Sequence, residues 1–471
     1  MLLAIPMEIR LAIVFVLGTC LGSVVNLGAY RLAYRPSRIG PWFRRDEKAP
    51  PRRFTDLLPI VGWLGLRREA AVHGSGFWIR PMLVELLLGV ILAWLYWWEI
   101  GCLGLLPPMR GNAPVWAYTI LHTQFAAHAI LIFFMLVALL IDLDEWTIPD
   151  TITIPGTVIG LLLAAVFPWS LLPNLEADYQ RQLLRLGMEQ EIHATYEKEL
   201  ADFLAMGSHA KRSFPSSSEK WPFLLLTSVE GPLPGKPWKA YLWDSRPRQP
   251  PPPHVRLNGR YGLLLGLGCW WAWCLAMMPW TWFPRHGWRR AVVLCCARMR
   301  REWKSCICLG LGVVGSAGIV VTWTLGKWYW MGLLTALVGV AVSGGMVWAV
   351  RIIGAAALKR EAMGFGDVTL MAMIGAFLGW QPCLLIFFLA PLAGLVIAVL
   401  RLLFSREREL PYGPYLCLAS FVLIACWATI WNRVFLIFEW GWLVPVLGLF
   451  CLAMMGFLLT VWKIILGAFE K

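Results

Sequence analysis

Runs of roughly 20 apolar residues recur along this chain, each long enough to cross a bilayer. Eleven candidate spans fall near residues 10–30, 82–99, 117–141, 151–171, 261–283, 306–323, 329–352, 368–380, 382–404, 413–432 and 440–465. The eighth is short, which suits a tilted segment or one buried against its neighbours. Composition agrees: 59% of residues are hydrophobic and 15% are charged, against about a quarter charged in a soluble domain. The 29 Trp residues crowd near the ends of the runs, as interfacial anchors do. The predicted fold is an all-α polytopic membrane helix bundle of about 11 spans with an extracytoplasmic insertion. The first apolar run lacks a clear small-residue cleavage site and reads as a retained helix rather than a signal peptide.

Basic residues orient the bundle. Loop 31–80 holds Arg31, Arg35, Arg44, Arg45, Arg52, Arg53, Arg67, Arg68 and Arg80, so it is predicted to face the cytoplasm. Loops 284–304, 351–366 and 401–410 read the same way. Loop 100–116 and the joints near 325 and 381 carry few positive charges and read as outside. Alternation then puts the N-terminus outside and the C-terminus in the cytoplasm. The net charge of +14 is accounted for by these loops, and no nucleic-acid partner is expected.

The chain divides into five predicted parts: a membrane half at 1–172, an extracytoplasmic insertion at 173–260, two extra helices at 261–323, a second membrane half at 324–432 and an extra helix at 433–471. Insertion 173–260 contains no Cys and ends in the stiff spacer Pro250–Pro253. Most of the 12 Cys lie inside apolar runs, where a small buried thiol is ordinary. Cys295, Cys296, Cys306 and Cys308 cluster without a CxxC zinc spacing.

Two acidic clusters carry chemistry. Asp142, Asp144, Glu145 and Asp150 surround the end of the third span, and Asp367 opens the eighth between Gly364-Phe365-Gly366 and Val368. They lie 225 residues apart, counted from Asp142 to Asp367, yet on the same predicted side of the membrane. Two carboxylates held close do not both ionise easily, so one keeps a proton. That pairing suits acid–base hydrolysis of a peptide. Gly364 and Gly366 permit close backbone approach beside Asp367. The plainer alternative is that Asp144, Glu145 and Asp150 are solvated helix-end charges, with Asp150 capping the fourth helix. Glu85 is an acid within an apolar run: a functional group by default, or a neutral or paired packing residue. Asn26 is a polar residue within a span, open to a site role or to an interhelical hydrogen bond. The spacing of His122 and His128 does not set them on one helix face, and neither is given a role.

Seven blocks, in order, resemble the prepilin peptidase (type IV leader peptidase) family. They are Gly22-Ser23 through Asn26 with Tyr30-Arg31-Leu32; Asp56-Leu57-Leu58-Pro59 with Trp63; Arg80-Pro81 through Glu85-Leu86-Leu87; Asp142 through Ile148-Pro149-Asp150; Gly364-Phe365-Gly366-Asp367-Val368; Gly375 through Gly379-Trp380; and Pro411-Tyr412-Gly413-Pro414. The resemblance implies a membrane aspartic endopeptidase with Asp142 and Asp367 as its catalytic pair, supported by Asp144, Asp150, Glu85, Gly364, Gly366 and Asn26. It implies cleavage of basic leaders from prepilins or pseudopilins at the cytoplasmic face of the bacterial inner membrane. Proteolysis would need no cofactor and no metal. Many members also methylate the new N-terminus with S-adenosylmethionine.

Three departures stand out. The family often carries two Cys pairs in its first cytoplasmic loop, whereas this chain has no Cys between Cys20 and Cys102, so a zinc site there is not expected and methylation is put in question. Thr369 stands where Lys is usual. Residues 173–323 and a further C-terminal helix are additions. The rival readings are a non-catalytic membrane scaffold, and a transporter using intramembrane acids.

Overall fold

The computed structural model describes residues 5–37, 39–106, 115–172, 257, 259–278, 297, 301, 303–358, 363–404, 411–438 and 443–469. The insertion 173–260, loops 284–304 and 401–410, and the Cys295–Cys296 pair lie wholly or mainly outside the described residues.

Each predicted span falls on a helix, and among the described residues there is no strand. The first half comprises α1 (Met7–Leu32), the short α2 (Val61–Leu66) and α3 (Ala70–His73), α4 (Ile79–Tyr96), α5 (Val115–Glu145) and α6 (Asp150–Val166). The second comprises α7 (Arg260–Ala276), α8 (Trp303–Leu325), α9 (Lys327–Leu358), α10 (Phe365–Leu378), α11 (Trp380–Phe404), α12 (Gly413–Ala425), α13 (Trp427–Phe438) and α14 (Leu443–Phe469). Among the described residues, six helices are long and apolar enough to cross a membrane, and four more are apolar but shorter. The protein is a polytopic helical membrane protein. The predicted tenth span is broken at Cys426 into α12 and α13, a break that its continuous apolar composition hides.

The short predicted eighth span is α10, and its shortness has a physical reason. Every residue from Asp367 to Leu378 is buried, so α10 is wrapped by protein rather than lipid. It packs against α9, α6, α11 and α5. The α9–α10 seam is made by small residues. A Cβ added at Gly339 would strike the Gly375 carbonyl, and one at Gly375 would strike Ser343 Oγ and the Gly339 carbonyl. Ser343 completes the seam by donating to the Met371 carbonyl at 2.9 Å. Without a hydrophobic drive between helices in lipid, such close backbone approach is what holds spans together.

Helices α7 and α8 pair with each other, and Trp270 Nε1 donates to the Gly312 carbonyl at 2.9 Å. They sit against α9, while α6 still packs directly on α9 and α10.

Overpacking the seam should separate α9 from α10. Gly375→Val is expected to destabilise the protein by about 1–3 kcal/mol, read as a lower thermal midpoint in detergent. An unchanged midpoint would show that the seam is looser than its geometry indicates.

Candidate active site

The third span ends just past the first acid. Asp142 lies in the last turn of α5 and is 4% exposed. Its carbonyl accepts the Trp146 amide at 2.9 Å, and Trp146 then adopts φ 59, which turns the chain out of the helix. Ile148 folds back inward and is buried, and Pro149 precedes the first turn of α6, where Asp150 sits. An acid at this position benefits from the unpaired amides of a helix start.

The second acid enters at the opposite kind of helix end. Gly364 caps α10, and Asp367 occupies its first turn, 8% exposed. The Gly364 amide faces the Asp367 carboxylate, the reciprocal half of a capping box. From α9, Arg351 supports this corner: Nε donates to the Met363 carbonyl at 3.1 Å, and its guanidinium lies 5.7 Å from the Phe365 ring centre. In the sequence, Arg351 is one of the orienting basic residues of loop 351–366.

Three glycine and isoleucine contacts join these ends. A Cβ at Gly366 would lie 2.8 Å from Ile148 Cβ. One at Gly413 would lie 2.5 Å from Asp142 Oδ2 and 3.0 Å from Ile148 Cδ1. The Gly413 amide faces the Asp142 carboxylate. Asp142 and Asp367 thus come within electrostatic range of each other. Asp142 Oδ2 is buried with no hydrogen-bond partner among the described residues. A buried carboxylate oxygen without a partner is costly, and in native proteins it points to strain, water or chemistry. Burial first, and the Asp367 charge second, push the Tyr412 hydroxyl up to about 12, so this neighbour stays protonated as a donor.

The remaining predicted residues divide. Asp144 accepts both contacts of Arg80 Nη1, at 2.6 and 2.9 Å, and Arg80 Nη2 reaches the Leu140 carbonyl at 3.3 Å. Glu145 accepts the amides of Tyr34 and Arg35 at 2.8 and 2.7 Å. These are tethers between the end of α5 and the first loop. Half-exposed pairs of this kind are worth about 0.2–1 kcal/mol each. Thr369, where Lys is usual, donates to the Gly366 carbonyl at 3.0 Å and is buried.

Glu85 and Asn26 belong to another cluster. Glu85 is fully buried; Oε1 accepts from Ser23 Oγ at 2.7 Å, Trp63 Nε1 at 2.8 Å and Asn26 Nδ2 at 3.3 Å. Its Oε2 accepts the Ile60 amide at 2.5 Å. Asn26 also donates to the Pro81 carbonyl at 2.9 Å. Gly22 lets α1 touch α4 here, since its Cβ would lie 2.6 Å from Glu85 Cα. The carboxylate therefore locks α1, α4 and α2 together.

Residues 301–399, which hold Asp367 and its flanking glycines, match the model of the type IV leader peptidase family. The chain is similar to the type IV leader peptidases. It is 30% identical over 150 residues to the prepilin leader peptidase/N-methyltransferase of Myxococcus xanthus (strain DK1622), covering 32% of this chain and 39% of that one. The protein of the same name from Pectobacterium carotovorum subsp. carotovorum is 35% identical over 105 residues, 19% of this chain and 38% of its own. The Aeromonas salmonicida (strain A449) relative is 30% identical over 95 residues, 20% and 31% respectively. The chain thus spans about two fifths or less of these curated relatives. No solved structure matches. The family match to the leader peptidases covers Asp367 and stops short of Asp142, so the juxtaposition of the two acids is a contribution of the fold.

Glu85→Ala would strand the buried Trp63 Nε1 and the partly buried Ser23 Oγ and Ile60 amide, while Asn26 keeps the Pro81 carbonyl. A loss of about 1–3 kcal/mol per stranded donor predicts a sharply lower thermal midpoint. A midpoint like that of the unaltered protein would return Glu85 to a purely chemical role. Gly413→Ala should displace the Asp142 carboxylate while the fold persists. A fall in turnover on the order of 10²-fold is expected, measured on protein whose midpoint is checked first.

Proposed function

We propose that this chain is a membrane aspartic endopeptidase that cleaves the leader peptides of type IV prepilins or pseudopilins, with Asp142 and Asp367 as its catalytic pair. The observation that carries this reading is the meeting of two buried carboxylates from helix ends far apart in sequence, one with an unpartnered oxygen. The similarity to proteins named prepilin leader peptidase/N-methyltransferase supplies the substrate class.

The chemistry follows from the pairing. One carboxylate is ionised and takes a proton from a water molecule. The hydroxide equivalent adds to the scissile carbonyl carbon, and the other carboxyl, protonated, gives its proton to the carbonyl oxygen. The tetrahedral intermediate then collapses. The C–N bond breaks, the leaving nitrogen takes up the proton held by the first carboxylate, and one hydroxyl of the intermediate returns its proton to the second carboxylate, restoring both groups. The Gly413 amide, facing Asp142, holds that carboxylate in place. Tyr412 stands nearby as a neutral donor. The basic loops argue that the site opens on the cytoplasmic face, where a basic leader would meet the acids at the end of α5.

Methylation is proposed only as an accompanying activity, since S-adenosylmethionine is its expected methyl donor and no residue is assigned to hold it.

Asp142→Asn and Asp367→Asn should each abolish cleavage of a prepilin substrate by the purified, lipid-reconstituted protein, while Asp144→Ala and Asp150→Ala stay within about tenfold of normal. Mass determination of the product reads both the cut and any added methyl group. Near-normal turnover in either Asn variant would refute the paired-acid mechanism, and inactivity of the unaltered protein would favour a scaffold.

A further inference from the structure

The loop between α1 and α4 is a built unit. Arg52 grips buried Glu69 through Nε at 2.8 Å and Nη2 at 3.0 Å, and its Nη1 donates to the Phe43 carbonyl at 2.7 Å. Arg68 pairs with buried Asp56, which also accepts the Arg53 amide at 2.7 Å. These buried pairs fix which face of residues 54–69 points inward. Asp56, Trp63, Leu66 and Glu69 are buried.

The opposite face is apolar and open. Phe54 is 82% exposed, and Leu57, Leu58, Val61 and Leu64 are about half exposed. They sit on the short 3-10 turn Phe54–Leu57, on the extended link after it and on α2, and together they leave this segment's outer side apolar. A stripe of this kind in a water-facing loop would be anomalous, since a soluble surface rarely presents a contiguous apolar patch. Its depth removes the anomaly. The α2 start is bonded to Glu85 by both the Ile60 amide and Trp63 Nε1. Glu85 lies six residues inside the span that starts at Ile79, about 9 Å along its axis at 1.5 Å per residue. Interfacial helices bury their apolar faces about 5–10 Å into the headgroup and acyl boundary. The span α4 itself exposes Leu83, Leu87 and Val90. Arg53 and Arg67 flank the stripe, both exposed, and make no ion pair among the described residues.

We propose that residues 53–67 are an interfacial membrane-docking element: the stripe Phe54, Leu57, Leu58, Val61 and Leu64 lies among lipid acyl chains, and Arg53 and Arg67 hold anionic lipid headgroups. The occupant is the bilayer in which the protein itself sits. Apolar burial supplies the attachment, and the two arginines supply a preference for negatively charged lipid, worth about 1 kcal/mol per basic residue near such a surface. The element then fixes the height of the whole loop, including Arg80 and the chain at Tyr34–Arg35, which tether the end of α5. This inference rests on the membrane fold and not on the peptidase reading.

The test is photo-crosslinking on the full chain in lipid nanodiscs. Phe54→p-benzoylphenylalanine and, separately, Val61→p-benzoylphenylalanine are irradiated in discs of phosphatidylcholine with and without phosphatidylglycerol, and adduct masses are determined. Lys48→p-benzoylphenylalanine, in the exposed charged run 44–48, is the control. Expected are lipid adducts from 54 and 61, none from 48, and a several-fold higher yield from phosphatidylglycerol. Arg53→Gln with Arg67→Gln should reduce that preference to near one with an unchanged thermal midpoint. Adducts to a second protein chain, an absence of lipid adducts at both positions, or indifference to lipid charge would each overturn the proposal. The two labelled positions are independent, so misfolding of one variant leaves the other decisive. Because no cleavage is measured, an inactive enzyme would not alter the outcome.

Discussion

The site depends on where Ile148 is held. This buried side chain follows the Trp146 turn and lies against two glycines from elsewhere in the chain, Gly366 beside Asp367 and Gly413 beside Asp142. The residue is a spacer as much as a core group. Its backbone fixes the approach of the α10 start, and its Cδ1 fixes the approach of the α12 start. A side chain on either glycine would widen the gap between the carboxylates. The two acids are therefore brought together by an apolar contact, with no ion or hydrogen bond bridging the two helix ends required.

Each acid sits at a helix end, and this reconciles burial with charge. A carboxylate at the membrane centre costs about 3 kcal/mol on insertion scales, and less near the interface. Asp367 offsets part of that through a start-of-helix amide. Asp142 lies in the last turn of α5, where the helix dipole disfavours an anion, and only the Gly413 amide faces it. The two sites are thus unequal by construction. Unequal environments are what separate an acid from a base in a paired-carboxylate mechanism.

Much of this was legible in the sequence. Apolar run length placed a helix on each predicted span, and among the described residues six of these helices are long and apolar enough to cross a membrane. The acidic clusters were visible because an acid beside an apolar run stands out against composition. Other features were not legible. Glu85 could be read as a site group or as a packing residue, because a buried acid reads the same whether it meets substrate or protein donors; the bonds to Ser23, Asn26, Ile60 and Trp63 are visible only in the fold. The division of α12 from α13 left no mark because both sides of Cys426 are equally apolar. The loop at 31–80 read as a basic orienting segment, and the burial of Asp56 and Glu69 that organises it is a matter of long-range pairing rather than local pattern.

The added helices sharpen the argument for the pair. A long insertion between the two acids could have separated them. Instead α7 and α8 pack on each other and on α9, leaving α6 in direct contact with α9 and α10. Ile148 and Gly366 link the Asp142 end to the Asp367 end in space. The family match begins at residue 301 and so has no part in placing Asp142. The family model covers the Asp367 end alone, and helix packing brings the Asp142 end to it. A scaffold that had lost its chemistry would retain the packing of α6, α9 and α10, but it would have no reason to keep two carboxylates buried at their common end.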